Sequence, residues 1–478
     1  MTERLRRRDL ALLATESATT PMHNATIEIF DPGTSGFDHD ALVALIADRI
    51  AFVPRYRQRL QSVPARLANP VWVDDPDFDL AFHVRRSALP RPGSMDQLRD
   101  LVGRVVSRPL DRNRPLWEVY FIEGLTDGRI ALLSKSHEIL VDGVETVDLS
   151  QVLLDVSPKP KEMPHEDWRP RSLPSTASLV SAAVRDTIDE PMTALSTARS
   201  NVDTVLRRLP LVPRALPLLP ARRPAPESPL NRELCEQRRI VAVMTDLEDY
   251  RKIRREHGGT VNDVILATVT GALRAWLMAR GQSLAGTRSL RAIVPMSVID
   301  DELEATSLGT QITGHFVDLP IGEASPVIRL HQVSYAFKAH GETGRAVAAN
   351  RLAGIAGFAP TTFHALGSRV AFTQLRKGYD LSITNVPGPQ FPLYAAGAEM
   401  VETYPIQPLL PGQALAIGVT SYDARVFYGV TADRDALPDI ELFGQCLTES
   451  LEELVESASS SRARAPRGRK KVPRKADK

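Results

Sequence analysis

Ser134-Lys-Ser-His-Glu-Ile-Leu-Val-Asp-Gly143 sets an imidazole, a carboxyl directly after it, a second carboxyl four residues further on and then a glycine. This is a compact set of groups for moving a proton. His137 or Glu138 could accept one, Asp142 could fix the loop by pairing with an arginine, and Gly143 could accommodate a tight backbone. An ordinary glutamate is the weaker base, with a pKa of about 4.3 against about 6.5 for histidine, although burial in apolar surroundings could lift it to about 6 or 7. The charge left behind also differs. A protonated histidine is a cation beside a developing oxyanion, whereas a protonated glutamate is neutral. Neighbouring residues on a strand face opposite ways, so His137 takes over from Glu138 only with a change of register or rotamer. Ser136 lacks the glycine-rich elbow of a serine nucleophile. Taken alone, a His-Glu pair at a strand end is also the pattern of a surface or structural pair.

The elements around this run are legible from their periodicity. Ala25-Thr-Ile-Glu-Ile-Phe30 alternates as a half-buried strand, and Leu42, Leu45, Ile46 and Ile50 recur at helical spacing. Trp117 to Ile122 predicts a strand, Gly124 to Gly128 a turn, and Arg129 to His137 the strand that ends at the motif. Val144 to Leu154 predicts the helix that follows. In the second half, Val261 to Trp276 predicts a helix with Thr260 as N-cap, and Ala292 to Val298 a strand with an irregularity at Pro295. Ala414 to Thr420 and Arg425 to Thr431 predict a hairpin around Tyr422-Asp-Ala424, and Ile440 to Leu454 a final amphipathic helix.

A chain of 478 residues exceeds one ordinary hydrophobic core, which predicts two domains of roughly 150 to 220 residues. The N-terminal domain is placed at 1–158, a proline-rich crossover at 159–232, the C-terminal domain at 233–458 and a basic tail at 459–478. Within the crossover, Leu179, Ala183 and Ile188 keep a helical period, and the apolar run Leu209 to Pro220 is flanked by arginines. That run could lie on a membrane or pack on the protein itself. The tail holds nine Lys or Arg against one acid, a net of +8, which leaves −7 of the chain's +1 on the remainder. It predicts a disordered segment, either solubilising or attracted to anionic lipid headgroups. No aromatics interleave its charges, so nucleic acid gains no support as a partner. Cys235 and Cys446 give neither a disulfide framework nor metal-ligand spacing. The first residues lack a secretory signal pattern and no run of eighteen apolar residues occurs, which points to the cytoplasm with at most peripheral membrane association.

The stretch Ser107 to Leu125, with Pro115-Leu116-Trp117, followed at once by the motif strand, strongly resembles the bacterial wax ester synthase and acyl-CoA:diacylglycerol acyltransferase family. Thr20-Pro-Met-His23, Val73 to Leu80 with His83, Val261-Asn262-Asp263, Val294 to Ser297, His315 to Pro320 and Asn385-Val-Pro-Gly388-Pro389 continue the resemblance, over about residues 5 to 456. The family's HHxxxDG motif has a second histidine where this chain has Glu138.

The resemblance implies an α/β fold of two domains similar to chloramphenicol acetyltransferase and to condensation domains, with mixed sheets and an active-site channel between them. An acyl-CoA would enter from one side, and diacylglycerol or a long-chain alcohol from the other. The residue at the Glu138 position would deprotonate the hydroxyl, which attacks the thioester directly; Asp142 and Gly143 would be structural. Pro115, Leu116, Trp117, Asn262, Asp263, Asn385 and Gly388 would be channel candidates, with helix capping an equal reading for Asn262 and Asp263. Acyl-CoA is the substrate, with no further cofactor and no metal. The membrane or a lipid-droplet surface is a possible peripheral partner. Two functions follow from the changed residue: a working acyltransferase with Glu138 or His137 as base, or a catalytically silent relative that binds lipid or acyl-CoA.

Overall fold

Strand β1 (His23–Asp31) forms where β-branched and aromatic residues alternate, and it becomes the centre of the first sheet. The computed structural model describes residues 3–64, 67–141, 148–161, 168–189, 228, 230–282, 284, 289–298, 311–341 and 360–463. Further strands are β2 (Gln58–Gln61), β3 (Val71–Asp74), β4 (Val84–Ala88), β5 (Trp117–Glu123), β6 (Ile130–His137) and β7 (Arg238–Asp246). Then come β8 (Leu290–Val298), β9 (Gln311–Leu319), β10 (Leu381–Pro387), β11 (Tyr394–Ala395), β12 (Ala398–Ile406), β13 (Leu415–Tyr422) and β14 (Arg425–Asp433).

Two six-stranded mixed sheets result, in the orders β11-β12-β1-β6-β5-β4 and β7-β14-β13-β10-β8-β9, with β2 and β3 as a separate ribbon. Each sheet organises its own apolar core. Ile27, Ile29, Leu133 and Phe121 belong to the first, packed with helices His39–Arg49 and Met95–Val106. Helices Leu247–His257, Val261–Ala279 and Ile440–Ala463 bury their apolar stripes in the second. Val261–Ala279 is long and apolar enough to cross a membrane by length and composition, but here it lies mostly buried. Thr260 caps it as expected, accepting from the Asp263 N–H at 3.1 Å while Asp263 accepts from the Thr260 N–H at 2.8 Å.

Most of the predicted elements are present within a few residues of their expected ends. The hairpin turns at Asp423 and Ala424, whose φ values of 41° and 61° are both left-handed, as a two-residue hairpin loop requires. After the motif only a short helix, Leu149–Leu153, is described, shorter than the one expected from Val144. Helix Thr176–Asp189 confirms the period in the crossover and lays Leu179 and Ala183 on Val63, Val71 and Val73. The run 209–220 and the tail from 464 onward lie outside the described residues.

One boundary needs correction. Strands β11 and β12, assigned by sequence to the domain 233–458, are hydrogen-bonded into the first sheet, with Ala25 opposite Ile406 and Asp31 opposite Glu399. The alternation of residues 398–406 marks a strand but cannot say which sheet it joins. To return, the chain passes β12 across the second sheet at Gly418 and Gly429, which lie opposite each other on β13 and β14. A Cβ on Gly429 would stand 1.9 Å from the Pro405 carbonyl oxygen, so the crossing needs a bare backbone there.

The opposite edge is closed by helix Met95–Val106 against β7. Gly103 lets the Arg238 carbonyl approach, Ser107 Oγ accepts from the Arg238 N–H at 2.9 Å, and buried Arg238 faces buried Asp433 at 3.4 Å. The two sheets are thus locked at both sides, and the interdomain helix Pro360–Thr373 fills the space between them, touching β1 as well as β8, β9 and β10. Replacing Gly429 with valine is expected to lower stability by about 2 kcal/mol or more through backbone overlap with Pro405, read as a fall in Tm. An unchanged Tm would show that the crossing is not close-packed.

Candidate active site

The motif strand β6 is held on both sides. Leu133 pairs with Ile27 on β1 and with Tyr120 on β5. Pro115-Leu116-Trp117 fixes its last residue: the His137 N–H donates to the Leu116 carbonyl at 3.0 Å, and Trp117 lies opposite Ser136. Trp117 is itself pinned. Its indole N–H donates to the Tyr56 carbonyl at 2.7 Å, and His83 stacks on it at 4.6 Å while its Nδ1–H donates to the Trp117 carbonyl at 2.8 Å. The three residues therefore act as a frame for the motif.

His137 and Glu138 face different surroundings. His137 Nδ1 accepts the Ile139 N–H at 3.1 Å, which leaves the ring proton of the neutral imidazole on Nε2, 3.5 Å from Glu16 Oε2. Glu16 in turn accepts from Arg112 and from the Met22 N–H. Burial alone would raise the Glu16 carboxyl, but His137 and Arg112 hold it well below the usual carboxylate range. His137 thus caps the motif turn through Nδ1, while its Nε2 lies near Glu16 without a hydrogen bond among the described residues.

Glu138 is 1% exposed at the start of a single tight turn, Glu138–Leu140. Asn24 Nδ2 donates to its Oε1 at 2.5 Å, and Oε2 has no hydrogen-bond partner among the described residues. Burial raises its carboxyl to about 8, opposed only in part by Arg369, Asn24 and Ser368. Near neutral pH this group is an uncharged acid. A buried carboxyl held neutral by an apolar site is a hydrogen-bond donor rather than a base.

The interdomain helix supplies the other wall. Arg369 donates to the carbonyls of Glu138 and Val141 and pairs with Asp9, so one guanidinium ties the motif turn to the N-terminal helix Arg7–Thr15. Asp142 and Gly143 lie outside the described residues, so the expected arginine pairing of Asp142 is not among these contacts. Ser368 Oγ lies 3.4 Å from Asn24 Oδ1 and donates to Gln407 Oε1. One turn earlier, His364 is 2% exposed, with Nδ1 2.8 Å from Thr384 Oγ1 on β10.

Beside Glu138's partner Asn24 opens a small pocket, lined among others by Tyr56, Ser134, Lys135, Ser136, Asp148 and His364. Burial raises the Asp148 carboxyl, and burial with Asp148 nearby lifts Glu28 on the same sheet face to about 8. Burial also drives the His364 imidazole down to about 3. The wall is polar, and it also includes Glu118 and Lys135, whose ammonium burial lowers only to about 8.

The remaining sequence candidates assemble elsewhere. Asn385 Nδ2 donates to Asn262 Oδ1 at 2.9 Å, and Asp263 is spent on the helix cap. Thr384 faces His364, so its neighbour Asn385 lies on the opposite face of β10. Gly388 donates its N–H to the Ser421 carbonyl at 2.8 Å and shapes the loop after β10. Asn24, His364, Ser368, Arg369 and Gln407 escaped sequence reading. His364 and Ser368 do stand four apart on a helix, but that spacing equally describes a solvated stripe.

Two linked mixed sheets with a cavity at the helix between them define the two-domain fold shared with peptide-synthetase condensation domains. The first condensation domain of the calcium-dependent antibiotic synthetase superposes with a TM-score of 0.55 at 15% identity, covering 96% of this chain and 97% of that one. The chain belongs to the wax ester synthase/diacylglycerol acyltransferase family: residues 5–265 match its catalytic domain and residues 308–455 its C-terminal domain. The wax ester synthase/diacylglycerol acyltransferase of Marinobacter aquaeolei VT8 is similar at 28% identity and a TM-score of 0.64, over 95% of this chain and 100% of that one. The probable diacylglycerol O-acyltransferase tgs1 of Mycobacterium tuberculosis H37Rv is 31% identical over 90% of this chain and 91% of its own length. The probable diacylglycerol O-acyltransferase tgs3 of the same strain is 39% identical over 54% of this chain and 97% of its own length.

The folded chain keeps the Glu138 proton to about pH 8, whereas an unfolded glutamate releases it near about 4.3. Native stability from this group is therefore full below about pH 4.3 and is lost as pH rises toward 8. Glu28 behaves the same way, so the comparison must be with Glu138→Gln. Denaturant unfolding at pH 5 and pH 8 should show a smaller loss in the variant than in the native protein, by up to about 4 kcal/mol. Equal losses would place the Glu138 proton elsewhere.

Proposed function

We propose that this protein transfers the acyl group of an acyl-CoA to the hydroxyl of diacylglycerol, forming triacylglycerol, or to a long-chain alcohol, forming a wax ester. The observation that carries this reading is the buried Glu138 carboxyl, set at the motif turn with one oxygen held by Asn24, which lines the neighbouring pocket, and the other without a hydrogen-bond partner among the described residues. Its relatives' names and the family match support the same class of reaction. No cofactor beyond the acyl-CoA substrate is required.

The chemistry falls on three tasks. The hydroxyl must lose its proton as it attacks, the thioester oxygen must be stabilised as it gains charge, and the thiolate must leave as a thiol. A neutral Glu138 is suited to the second task, because its carboxyl proton can be donated from Oε2 without placing a repelling carboxylate beside the oxyanion. Ionised, it would be suited to the first. A lipid acceptor also brings the protein to a lipid surface, and the basic segment 459–478 is fitted to anionic headgroups at a membrane or droplet. The cytoplasmic side is the matching location.

The neutral Glu138 also favours a specific second reading, a silent relative that binds acyl-CoA or lipid without turnover. Incubation of purified protein with labelled palmitoyl-CoA and diolein or hexadecanol decides between them. Ester above the heat-killed control between pH 6 and 9 is the expected result. Acyl-CoA binding with no ester, and ester appearing only after Glu138→His, would establish the silent reading.

A further inference from the structure

We propose that His364, on the interdomain helix, is the general base of the transfer, receiving the acceptor hydroxyl's proton at Nε2 while Glu138 donates a hydrogen bond to the thioester oxygen. This rests on the acyltransferase reading above and assigns the proton acceptor that reading leaves open. Four observations converge on His364. It is 2% exposed, it lines the interdomain cavity, its Nε2 has no hydrogen-bond partner among the described residues, and its Nδ1 is fixed 2.8 Å from Thr384 Oγ1. A buried imidazole nitrogen without a partner is costly unless a ligand supplies one. With the ring proton on Nδ1 donated to Thr384, Nε2 presents a lone pair to whatever enters the cavity.

The relation to Glu138 is set by the helix. His364 and Ser368 are one turn apart, about 5 to 6 Å between their Cβ atoms. Ser368 meets Asn24, and Asn24 meets Glu138 Oε1 at 2.5 Å. Asn24, which lines the pocket with His364 and bonds Glu138, is the link between the imidazole and the carboxyl. His23 Nδ1, His83 Nε2 and His137 Nε2 are also buried without a hydrogen-bond partner among the described residues, but of the four imidazoles His364 is the one that lines this pocket.

The step balances without another reactant. The acceptor O–H gives its proton to His364 Nε2 as its oxygen bonds the thioester carbon, and the carbonyl electron pair moves to the oxygen facing Glu138. Collapse restores the C=O bond and breaks the C–S bond. The imidazolium then protonates the departing thiolate, leaving ester, free CoA thiol and neutral His364. Burial opposes the imidazolium, so the step depends on the oxyanion developing beside it to stabilise that cation. The charged or titratable groups around the pair are Arg369 and Asp9 beside Glu138, and Lys135, lowered by burial to about 8, with Glu118, Asp148, Tyr56 and nearby Glu28 around the pocket.

The test is steady-state kinetics of the full chain with palmitoyl-CoA and diolein from pH 6 to 9.5, with palmitoyl-CoA binding and Tm measured in parallel. For His364→Asn, kcat should fall at least 100-fold while palmitoyl-CoA Kd changes less than threefold, and imidazole in the buffer should recover part of the rate of His364→Ala. The native rate should decline above about pH 8 as Glu138 ionises. In Glu138→Gln that decline should vanish, because an amide donates at every pH, with kcat lowered about tenfold or less. Should the His364 variants fail to fold, the native and Glu138→Gln pH profiles still decide. A native rate that rises to a plateau near pH 8 and is abolished in Glu138→Gln would overturn the assignment and make Glu138 the base, leaving the acyltransferase reading intact. A native protein that binds palmitoyl-CoA and makes no ester would overturn both.

Discussion

Arg369 is the contact on which the site depends. One guanidinium donates to the Glu138 and Val141 carbonyls and pairs with Asp9, so the motif turn, the N-terminal helix and the interdomain helix are fixed relative to each other. Because Ser368 and His364 ride on the same helix, that anchoring also sets where Asn24 finds its second partner and where the free imidazole nitrogen lies. The arginine bonds to main-chain oxygens of the motif turn rather than to the Glu138 side chain. Its charge favours the ionised carboxyl, but burial outweighs it and raises the group to about 8.

This arrangement works only if the two sheets stay in register. The crossing of β12 over Gly418 and Gly429, and the closure of β7 by helix Met95–Val106 at Gly103, join the two sheets at both sides. Here Glu28, Glu138, Asp148 and His364 are all pushed toward their uncharged forms by the same cause, removal from water. Polar groups that carry no charge escape the desolvation cost of a buried ion, while Lys135 among them is lowered only to about 8. Residue choice and cleft chemistry are in this sense one constraint.

The sequence reads well where local pattern and structure coincide. Strand β6, its framing Pro115-Leu116-Trp117 and the capped helix from Val261 are visible because alternation, aromatic clustering and a Thr-x-x-Asp cap are short-range signals. Motif order along the chain was enough to identify the family and thereby the two-sheet fold. Long-range closure is not visible in the same way. Nothing in Ala398–Ile406 announces that this strand leaves its neighbours to pair with β1, and nothing local marks Pro405 as the reason for a bare Gly429. The site divides along the same line. Glu138 is found from the motif, whereas Asn24, His364 and Arg369 acquire their meaning only when 24, 138 and 369 meet in space. Asn262 and Asn385, both plausible channel residues by motif, find each other instead.

The central physical claim is that Glu138 is a neutral acid in the folded protein near neutral pH. Infrared difference spectroscopy of native protein against Glu138→Gln, with carbon-13 labelled glutamate to mark the band, measures this directly. A protonated carboxyl C=O stretch should be present at pH 7, absent from the variant and lost above about pH 8. A carboxylate band at pH 7 in place of the acid band would contradict the account, and Glu138 would then be the site's base.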